Sequence, residues 1–297
     1  MPIKVGLQMH SVREAMHLDP LGAVERCAQA GFRYLELPAS LKNDKPGLLF
    51  GKSPAQWVEA AKTAHAVLIG GYAKPDPATA EAAVDFYAAL GAQRVVIPID
   101  YFPTRKALDE KCEFYNRLGK LCAARGLRLF YENHYHEWQM IDGQTILERL
   151  MTATDPTLFT VSLNTYWLMR GLVDPGEVFK QFGNRLGSIV QQDYPLSEID
   201  KFNMWHFDRY HPIAKNIQYE SVLQGSEIEN IHPVQCELFC EIGDGVLPLQ
   251  RTVDAVAELG TVEYVLLKQD YTRMPDEFDS VSRSAHNYHR MRGVCWD

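Results

Sequence analysis

Residues 128–137 read RLFYENHYHE, a short apolar run that ends on Glu132 and passes at once into polar and ionisable side chains. A run of this length is typical of a buried strand in a parallel sheet. Similar runs rich in Val, Ile, Leu and Tyr lie before and after it, and each is followed by a longer stretch with helical spacing. This alternation predicts βα units. The predicted strands cover residues 3–8, 33–37, 67–71, 94–99, 128–132, 159–164, 188–192 and 264–269.

Eight strands can close a parallel barrel, and about 250 residues is the usual size of a β/α barrel domain. The chain has 297 residues and no linker or low-complexity tract. We therefore predict an α/β fold, a single-domain (β/α)8 TIM barrel over residues 1–297. Helix starts are marked by an N-cap residue followed by proline, and helix ends by glycine. The starts are Asp19-Pro20, Ser53-Pro54, Asp76-Pro77 and Asp174-Pro175, and the glycines are Gly31 and Gly91.

The composition argues against two kinds of partner. The formal net charge is −8, and 46% of the residues are hydrophobic. Nucleic acids and anionic membranes both attract a concentrated positive surface, so neither is expected as a partner. The N-terminus is predicted to be a strand rather than a signal peptide, and no spanning run of about 18 apolar residues occurs. The six cysteines are scattered, as reduced thiols usually are. We expect a cytoplasmic protein with a small polar ligand.

One segment interrupts the βα rhythm. Residues 193–247 separate the seventh predicted strand from the helix expected after Pro248, and they include His206 and Glu241. In a barrel, this segment leaves the C-terminal end of a strand, where active sites are built. A long loop there predicts a lid or an interface, through which the chain would form a homo-oligomer or a heteromer. The alternative is a structural loop that only covers the barrel mouth.

Six segments carry a resemblance to known proteins: residues 6–13 (GLQMHSVR), 131–137 (YENHYHE), 162–167 (SLNTYW), 192–195 (QDYP), 241–245 (EIGDG) and 268–272 (KQDYT). Together they resemble the xylose isomerase-like TIM barrel superfamily, and in particular its sugar phosphate isomerases and epimerases. The segments follow one another from the first predicted strand to the last. The resemblance therefore covers essentially the whole chain.

The resemblance implies a divalent metal at the barrel mouth: manganese, magnesium or zinc. In the family it is held by Glu, Asp, His and Glu from the ends of strands five to eight. Such a metal polarises a carbonyl group while carboxylates move a proton between neighbouring carbons. In this sequence, the implied positions are Glu132, Asn164, Val190 and Lys268. Only Glu132 keeps the family's type of ligand.

The charges of these four positions are also changed. The family's ligand set carries about −3, which suits a divalent cation. Here Glu132 and Lys268 cancel, and Asn164 and Val190 are neutral. We expect the metal to be lost and Lys268 to pair with Glu132, because an unpaired carboxylate in a closed barrel mouth would be costly. A relocated metal at His134 and His136 is a less favoured alternative.

The favoured hypothesis is a metal-independent isomerase, epimerase or related lyase of carbohydrate metabolism, acting on a sugar, a polyol or a similar carbonyl compound. Lys268 is expected to be a general base, a Schiff-base nucleophile or a charge replacement for the metal. Glu132, His134 and His136 are expected to move protons. The expected substrate contacts are Gln8, His10, Arg13, Asn164, Trp167, His206 and Glu241.

Two alternatives stay open. The first is a non-catalytic barrel, a pseudoenzyme that binds a sugar or serves as the partner subunit of an intact paralogue. The barrel subunits of bacterial C-glycoside deglycosidases work as heteromers of this kind. The second is the family's ordinary metal-dependent isomerase or epimerase, which the positive charge of Lys268 disfavours.

Overall fold

The computed structural model describes residues 2–40, 44–204 and 236–297. Its centre is a closed barrel of eight parallel strands, in which neighbours pair in chain order and the last strand pairs with the first. This confirms the predicted (β/α)8 TIM barrel. The strands are β1 (Ile3–Gln8), β2 (Tyr34–Leu37), β3 (Val67–Tyr72), β4 (Arg94–Ile97), β5 (Arg128–Glu132), β6 (Phe159–Asn164), β7 (Leu186–Gln191) and β8 (Tyr264–Leu267). The short strand Val294–Cys295 also pairs with β1.

Helices surround the barrel and cover its outer apolar face. They are α1 (Arg13–Leu18), α2 (Pro20–Gln29), α3 (Pro54–Thr63), α4 (Ala80–Ala89), α5 (Arg105–Ala124), α6 (Ile146–Ala153), α7 (Thr165–Arg170), α8 (Pro175–Phe182), α9 (Leu249–Leu259) and α10 (Glu277–Tyr288). Short 3-10 helices lie at Met9–Val12, His136–Trp138, Gly183–Arg185, Leu196–Lys201 and Cys236–Leu238. A small antiparallel hairpin pairs the two-residue strands Met140–Ile141 and Gln144–Thr145. Among the described residues, no helix is both long and apolar enough to cross a membrane.

Three of the four predicted helix starts are confirmed, at Pro20, Pro54 and Pro175. The start at Asp76-Pro77 is wrong, because α4 begins at Ala80. The Asp76 carboxylate accepts bonds from the backbone N–H groups of Ala78 and Thr79, at 2.9 and 2.8 Å. It therefore caps a separate turn instead of the helix itself.

The two predicted helix-ending glycines are confirmed by their backbone angles. Gly31 and Gly91 have φ angles of 102° and 69°, in the left-handed region that favours glycine. Each ends a helix and turns the chain back toward the next strand. Helix ends of this kind explain how each short connection returns to the bottom of the barrel.

Side chains fill the barrel interior in layers. Beneath the strand ends, an apolar cluster contains Tyr34, Ile69, Val190, Tyr264 and Leu266. Side chains along a strand alternate between its two faces, so the residue two positions after Leu266 also points inward. That residue is Lys268. The inner face therefore changes from apolar to polar toward the C-terminal ends of the strands, where the candidate site lies.

Candidate functional site

Five buried side chains form a closed ring of polar contacts at the C-terminal end of the barrel, and we call it the mouth ring. The amide nitrogen of Asn164 donates to Glu132 Oε1 at 3.0 Å and to Gln192 Oε1 at 2.9 Å. The Gln192 Nε2 group donates to Asp270 Oδ2 at 2.9 Å. Lys268 Nζ closes the ring, 3.3 Å from Asp270 Oδ1 and 3.4 Å from Glu132 Oε1. The structure thus contains the Glu132–Lys268 pair expected from the sequence.

The strand ends position this ring. Glu132 is the last residue of β5, and Asn164 is the last residue of β6 and the N-cap of α7, where its Oδ1 accepts from the Trp167 N–H at 3.4 Å. Gln192 and Lys268 directly follow β7 and β8. Parallel strands present their C-terminal ends at one face of the barrel, so these side chains converge there.

The electrostatics of the ring keep Lys268 charged. Burial alone would lower the pKa of the Lys268 ammonium, but the nearby charges of Asp270 and Glu132 outweigh it and raise that pKa. Burial likewise opposes the charge of Asp270, yet the ammonium of Lys268 lowers the pKa of that carboxyl. The ring therefore contains one fixed positive charge between two carboxylates.

A second layer of polar groups lies beside and beneath the ring. The Tyr72 hydroxyl donates to Glu132 Oε2. The predicted substrate contact Gln8 points into the barrel, where its Nε2 donates to Glu36 Oε2 at 3.3 Å. Glu36 is in turn 2.6 Å from Arg94 NH2. Gln8 supports the floor of the site and does not line the cavity above it.

A cavity of about 750 Å³ opens onto the mouth ring. The sequence-predicted site residues that line it are His10, Arg13, His134, Trp167 and Lys268. Asp270 and Tyr72 line it as well, and neither was predicted. Glu132 and Asn164 are fully buried behind this surface, in the ring. Lys268 and Asp270 therefore line the cavity side by side, and Glu132 contacts Lys268 from behind this surface.

His10 and Arg13 surround Asp270 from the first βα connection. His10 Nε2 is 3.8 Å from Asp270 Oδ1, and burial lowers the pKa of His10 to about 3. The imidazole of His10 is consequently neutral near neutral pH. Arg13 donates to the backbone carbonyl of Asp270, and its guanidinium carbon lies 4.2 Å from the centre of the Tyr271 ring.

His134 and His136 have different surroundings although only one residue separates them. The His134 ring stacks on the Trp167 ring, with 5.3 Å between the ring centres. The backbone N–H of His134 donates to Glu137 Oε2 at 2.8 Å. His136 is fully buried, with its Nε2 2.9 Å from the carbonyl oxygen of Asp100. Burial lowers the pKa of His136 to about 4. The structure thus brings His134 to the cavity and His136 into the packed wall behind it.

The remaining predicted contacts lie away from the ring or outside the described residues. Glu241 Oε1 accepts from the hydroxyls of Thr272 and Ser280, at 2.6 and 2.9 Å, and does not line the cavity. His206 lies within residues 205–235, which are outside the described part of the chain. Most of the predicted lid or interface in 193–247 lies there as well. Its described ends are joined where Asp193 pairs with Cys240 in an antiparallel bridge.

The strand-seven position implied by the resemblance lies deeper than the ring. Val190 packs in the interior apolar cluster, and Gln192, two residues later, reaches the ring instead. Sequence reasoning missed Gln192 and Asp270, although both stand in the quoted segments. The available signal was the two-residue alternation along a strand, which places Gln192 on the face of Val190 and Asp270 on the face of Lys268.

The mouth ring does not suit a divalent cation. Its two carboxylates, Glu132 and Asp270, both face the ammonium of Lys268, and its other oxygen donors are neutral amides. A hard divalent metal requires several anionic or neutral ligands and is repelled by an ammonium at contact distance. Across residues 2–40, 44–204 and 236–297, no three His, Cys, Asp or Glu side chains are placed to hold a metal together.

The (β/α)8 barrel superposes on solved structures of similar fold, among them a xylose isomerase-like TIM barrel/4-hydroxyphenylpyruvate dioxygenase fusion protein, with a TM-score of 0.64 and 15% identity, covering 97% of this chain and 42% of that one. No protein-family profile matches the sequence. The chain superposes on a sugar phosphate isomerase/epimerase from Parabacteroides distasonis ATCC 8503 with a TM-score of 0.74 and 17% identity, covering 99% of this chain and 96% of that one. For 3-keto-D-glucoside 4-epimerase from E. coli, the TM-score is 0.61 and the identity 13%, with 96% and 98% covered.

Curated sequences give a weaker likeness. Inosose dehydratase from Lacticaseibacillus casei is 22% identical over 202 residues, or 63% of this chain, and the match spans only 60% of that relative's length. Inosose dehydratase from Bacillus cereus (strain AH820) is 21% identical over 154 residues, which are 52% of this chain and 44% of that one. At such identities the comparisons establish the fold, and the activity has to be argued from the site.

Proposed function

We propose that this barrel is an isomerase, epimerase or related lyase of sugars or polyols that works without a divalent metal. The Lys268 ammonium takes the place of the family's cation. The observation that carries the proposal is the position of this ammonium, which lines the cavity and lies 3.4 Å from Glu132 and 3.3 Å from Asp270. A fixed positive charge in a shielded site can stabilise a developing oxyanion, as a metal does.

Of the three roles open to Lys268, the electrostatic one fits its surroundings. A general base or a Schiff-base nucleophile must be a neutral amine, and the two neighbouring carboxylates raise the pKa of Lys268. The charged ammonium instead donates a hydrogen bond to the carbonyl oxygen of the substrate. When a proton leaves the adjacent carbon, the ammonium stabilises the enolate that forms.

An imidazole at the cavity moves the proton. His10 and His134 both line the cavity, where an imidazole can take up the proton that leaves the substrate carbon. Return of the proton to the opposite face of the same carbon gives an epimer, and its return to the neighbouring carbon gives an isomer. Loss of a hydroxyl group from the next carbon gives a dehydration.

The substrate class follows from the relatives and from this chemistry. Two of the similar proteins are a D-allulose 3-epimerase and a 3-keto-D-glucoside 4-epimerase, and the curated relatives are inosose dehydratases. Their names share a sugar or polyol skeleton with a keto group. Such a group supplies both the oxygen for Lys268 and an acidic hydrogen on the adjacent carbon.

Proton exchange with solvent tests the proposal directly. The purified protein is incubated in D2O with D-allulose or 2-keto-myo-inositol, with and without EDTA, and deuterium incorporation is followed by NMR. We expect exchange to persist in EDTA, and Lys268→Met to slow it on the order of 10²–10³-fold. The matched control is Lys180→Met, because Lys180 pairs with Glu177 on the surface of α8.

Two outcomes would overturn the proposal. Stoichiometric manganese, magnesium or zinc retained through dialysis, with exchange abolished by EDTA, would indicate the ordinary metal-dependent reaction. Absence of exchange with every keto sugar and keto polyol tested would favour the non-catalytic barrel. Reductive trapping with borohydride is expected to leave Lys268 unmodified, and a trapped adduct would assign it the Schiff-base role.

A further inference from the structure

The two sides of the cavity differ in chemistry. The connections after β1 and β8 supply charged and polar groups, among them His10, Lys268 and Asp270, and the connections after β5, β6 and β7 add Tyr135, Trp167 and Phe239 beside them. The connections after β2, β3 and β4 supply a mostly apolar side, which we call the apolar arm. It contains Leu48, Leu49, Ala82, Ala83, Phe86 and Ile99. Charged side chains on the same side are Asp44, Lys45 and Lys74.

The apolar arm is a firmly built wall. The Asp44 carboxylate accepts the backbone N–H groups of Phe50 and Gly51 at 2.8 and 3.0 Å, so it is occupied within its own loop. Leu49 and Lys52 exchange two backbone hydrogen bonds of 3.0 Å, and Trp57 Nε1 donates to the Leu49 carbonyl at 3.3 Å. These bonds hold the described part of this loop, residues 44–52, in place around Leu48 and Leu49.

The size and chemistry of the arm do not match a bare sugar. Pockets of roughly 300–1,000 Å³ enclose drug-sized ligands, and this cavity of about 750 Å³ falls in that range, whereas a monosaccharide is smaller. Sugar hydroxyls placed against Leu48, Ala83 and Phe86 would lose water without gaining hydrogen-bond partners. An apolar group placed there would instead bury its surface favourably.

We infer that the substrate carries an aromatic substituent on its sugar or polyol ring, as an aryl glycoside does, with the ring at Lys268 and the aryl group in the apolar arm. A rigid planar group suits a fixed wall because it loses little conformational freedom on binding, whereas a flexible alkyl chain loses more. This inference rests on the proposed function for the sugar end and adds the class of its substituent.

Binding measurements with matched ligands test the inference. The two anomers of 4-nitrophenyl D-glucoside are compared with D-glucose by isothermal titration calorimetry. We expect at least one anomer to bind on the order of tenfold or more tightly than D-glucose. Leu48→Asp and Ala83→Leu, which add charge and bulk to the arm, should each remove this gain.

The control and the contrary results separate this inference from the proposed function. Leu18→Asp makes the same substitution at a side chain that is 87% exposed and lies outside the cavity, so the gain should survive in it. Equal or weaker binding of both anomers, or a gain unchanged in Leu48→Asp and Ala83→Leu, overturns the inference. Deuterium exchange of D-allulose would then still support the proposed function. A clear aryl gain without any exchange would overturn the function instead.

Discussion

Glu132 and Glu137 lie five residues apart, and both carboxylates are fully buried, yet the protein accommodates them in opposite ways. Glu132 contacts the ammonium of Lys268 and also accepts from Tyr72 and Asn164. Glu137 contacts no lysine or arginine among the described residues. Its oxygens accept from the Tyr131 hydroxyl at 2.5 Å and from the backbone N–H of His134 at 2.8 Å.

The two carboxyl groups differ in how their negative charge is dealt with: a cation balances it at Glu132, and a bound proton removes it at Glu137. A buried carboxylate is tolerated when a cation stands beside it or when it keeps its proton. Burial raises the pKa of Glu137 to about 8 and lowers that of His136, 3.3 Å away, to about 4. This pair is therefore neutral near neutral pH and serves packing. In the mouth ring, mutual attraction raises the pKa of Lys268 and lowers that of Asp270, so both keep their charges, and the proposed function places this pair against the substrate.

Removal of the Lys268 ammonium should produce the largest loss of stability. In Lys268→Met, Glu132 and Asp270 are left buried without a counter-charge, and removing one partner of a buried pair typically costs about 3–5 kcal/mol. Urea unfolding of the variant and the wild type at pH 7 measures the loss. Lys180→Met, at the exposed pair with Glu177, should leave the unfolding midpoint unchanged. Equal midpoints for Lys268→Met and the wild type would show that the ring charges are not coupled.

Removal of one hydroxyl should produce a smaller effect. Tyr72→Phe deletes the donor to Glu132 Oε2, and a hydrogen bond to a charged group contributes about 1.5–3 kcal/mol. Tyr87→Phe is the matched control, because its hydroxyl donates to the neutral carbonyl of Tyr72 at 2.9 Å. Urea unfolding of both variants should therefore rank Tyr72→Phe as the less stable. The reverse order would mean that Glu132 does not depend on this donor.

The sequence was sufficient for the barrel. Strands at 3–8, 128–132 and 159–164 were predicted to the residue, because apolar runs bounded by polar residues define them. The pairing of Glu132 with Lys268 was expected from the resemblance, which placed both residues at the implied metal site, and the structure brings the two side chains into contact.

Beyond the strand ends, the sequence was a weaker guide. His136 was expected to move protons together with Glu132 and His134. A 3-10 helix begins at His136 instead, so the chain turns and its ring stacks on Tyr101 at 5.5 Å. Asp270 lies past the end of β8 as well, but it keeps the two-residue alternation and reaches the ring beside Lys268. The conformation of such connections depends on tertiary contacts that periodicity does not encode.

The proton on Glu137 gives the smallest and most selective effect. Its pKa of about 8 lies above the usual 4.5, so its contribution to stability is full below pH 4.5 and is lost as the pH rises toward 8. Between pH 6.5 and 7.5, deprotonation of this group should lower the free energy of unfolding of the wild type by about 1 kcal/mol. The release of one proton changes that free energy by at most about 1.4 kcal/mol per pH unit. Glu137→Gln keeps the neutral form and should lose less over that interval in urea unfolding. Glu113→Gln, on the exposed face of α5, should behave as the wild type does. An identical pH dependence in all three proteins would mean that Glu137 is ionised in the fold and that a counter-charge holds it, as Lys268 holds Glu132.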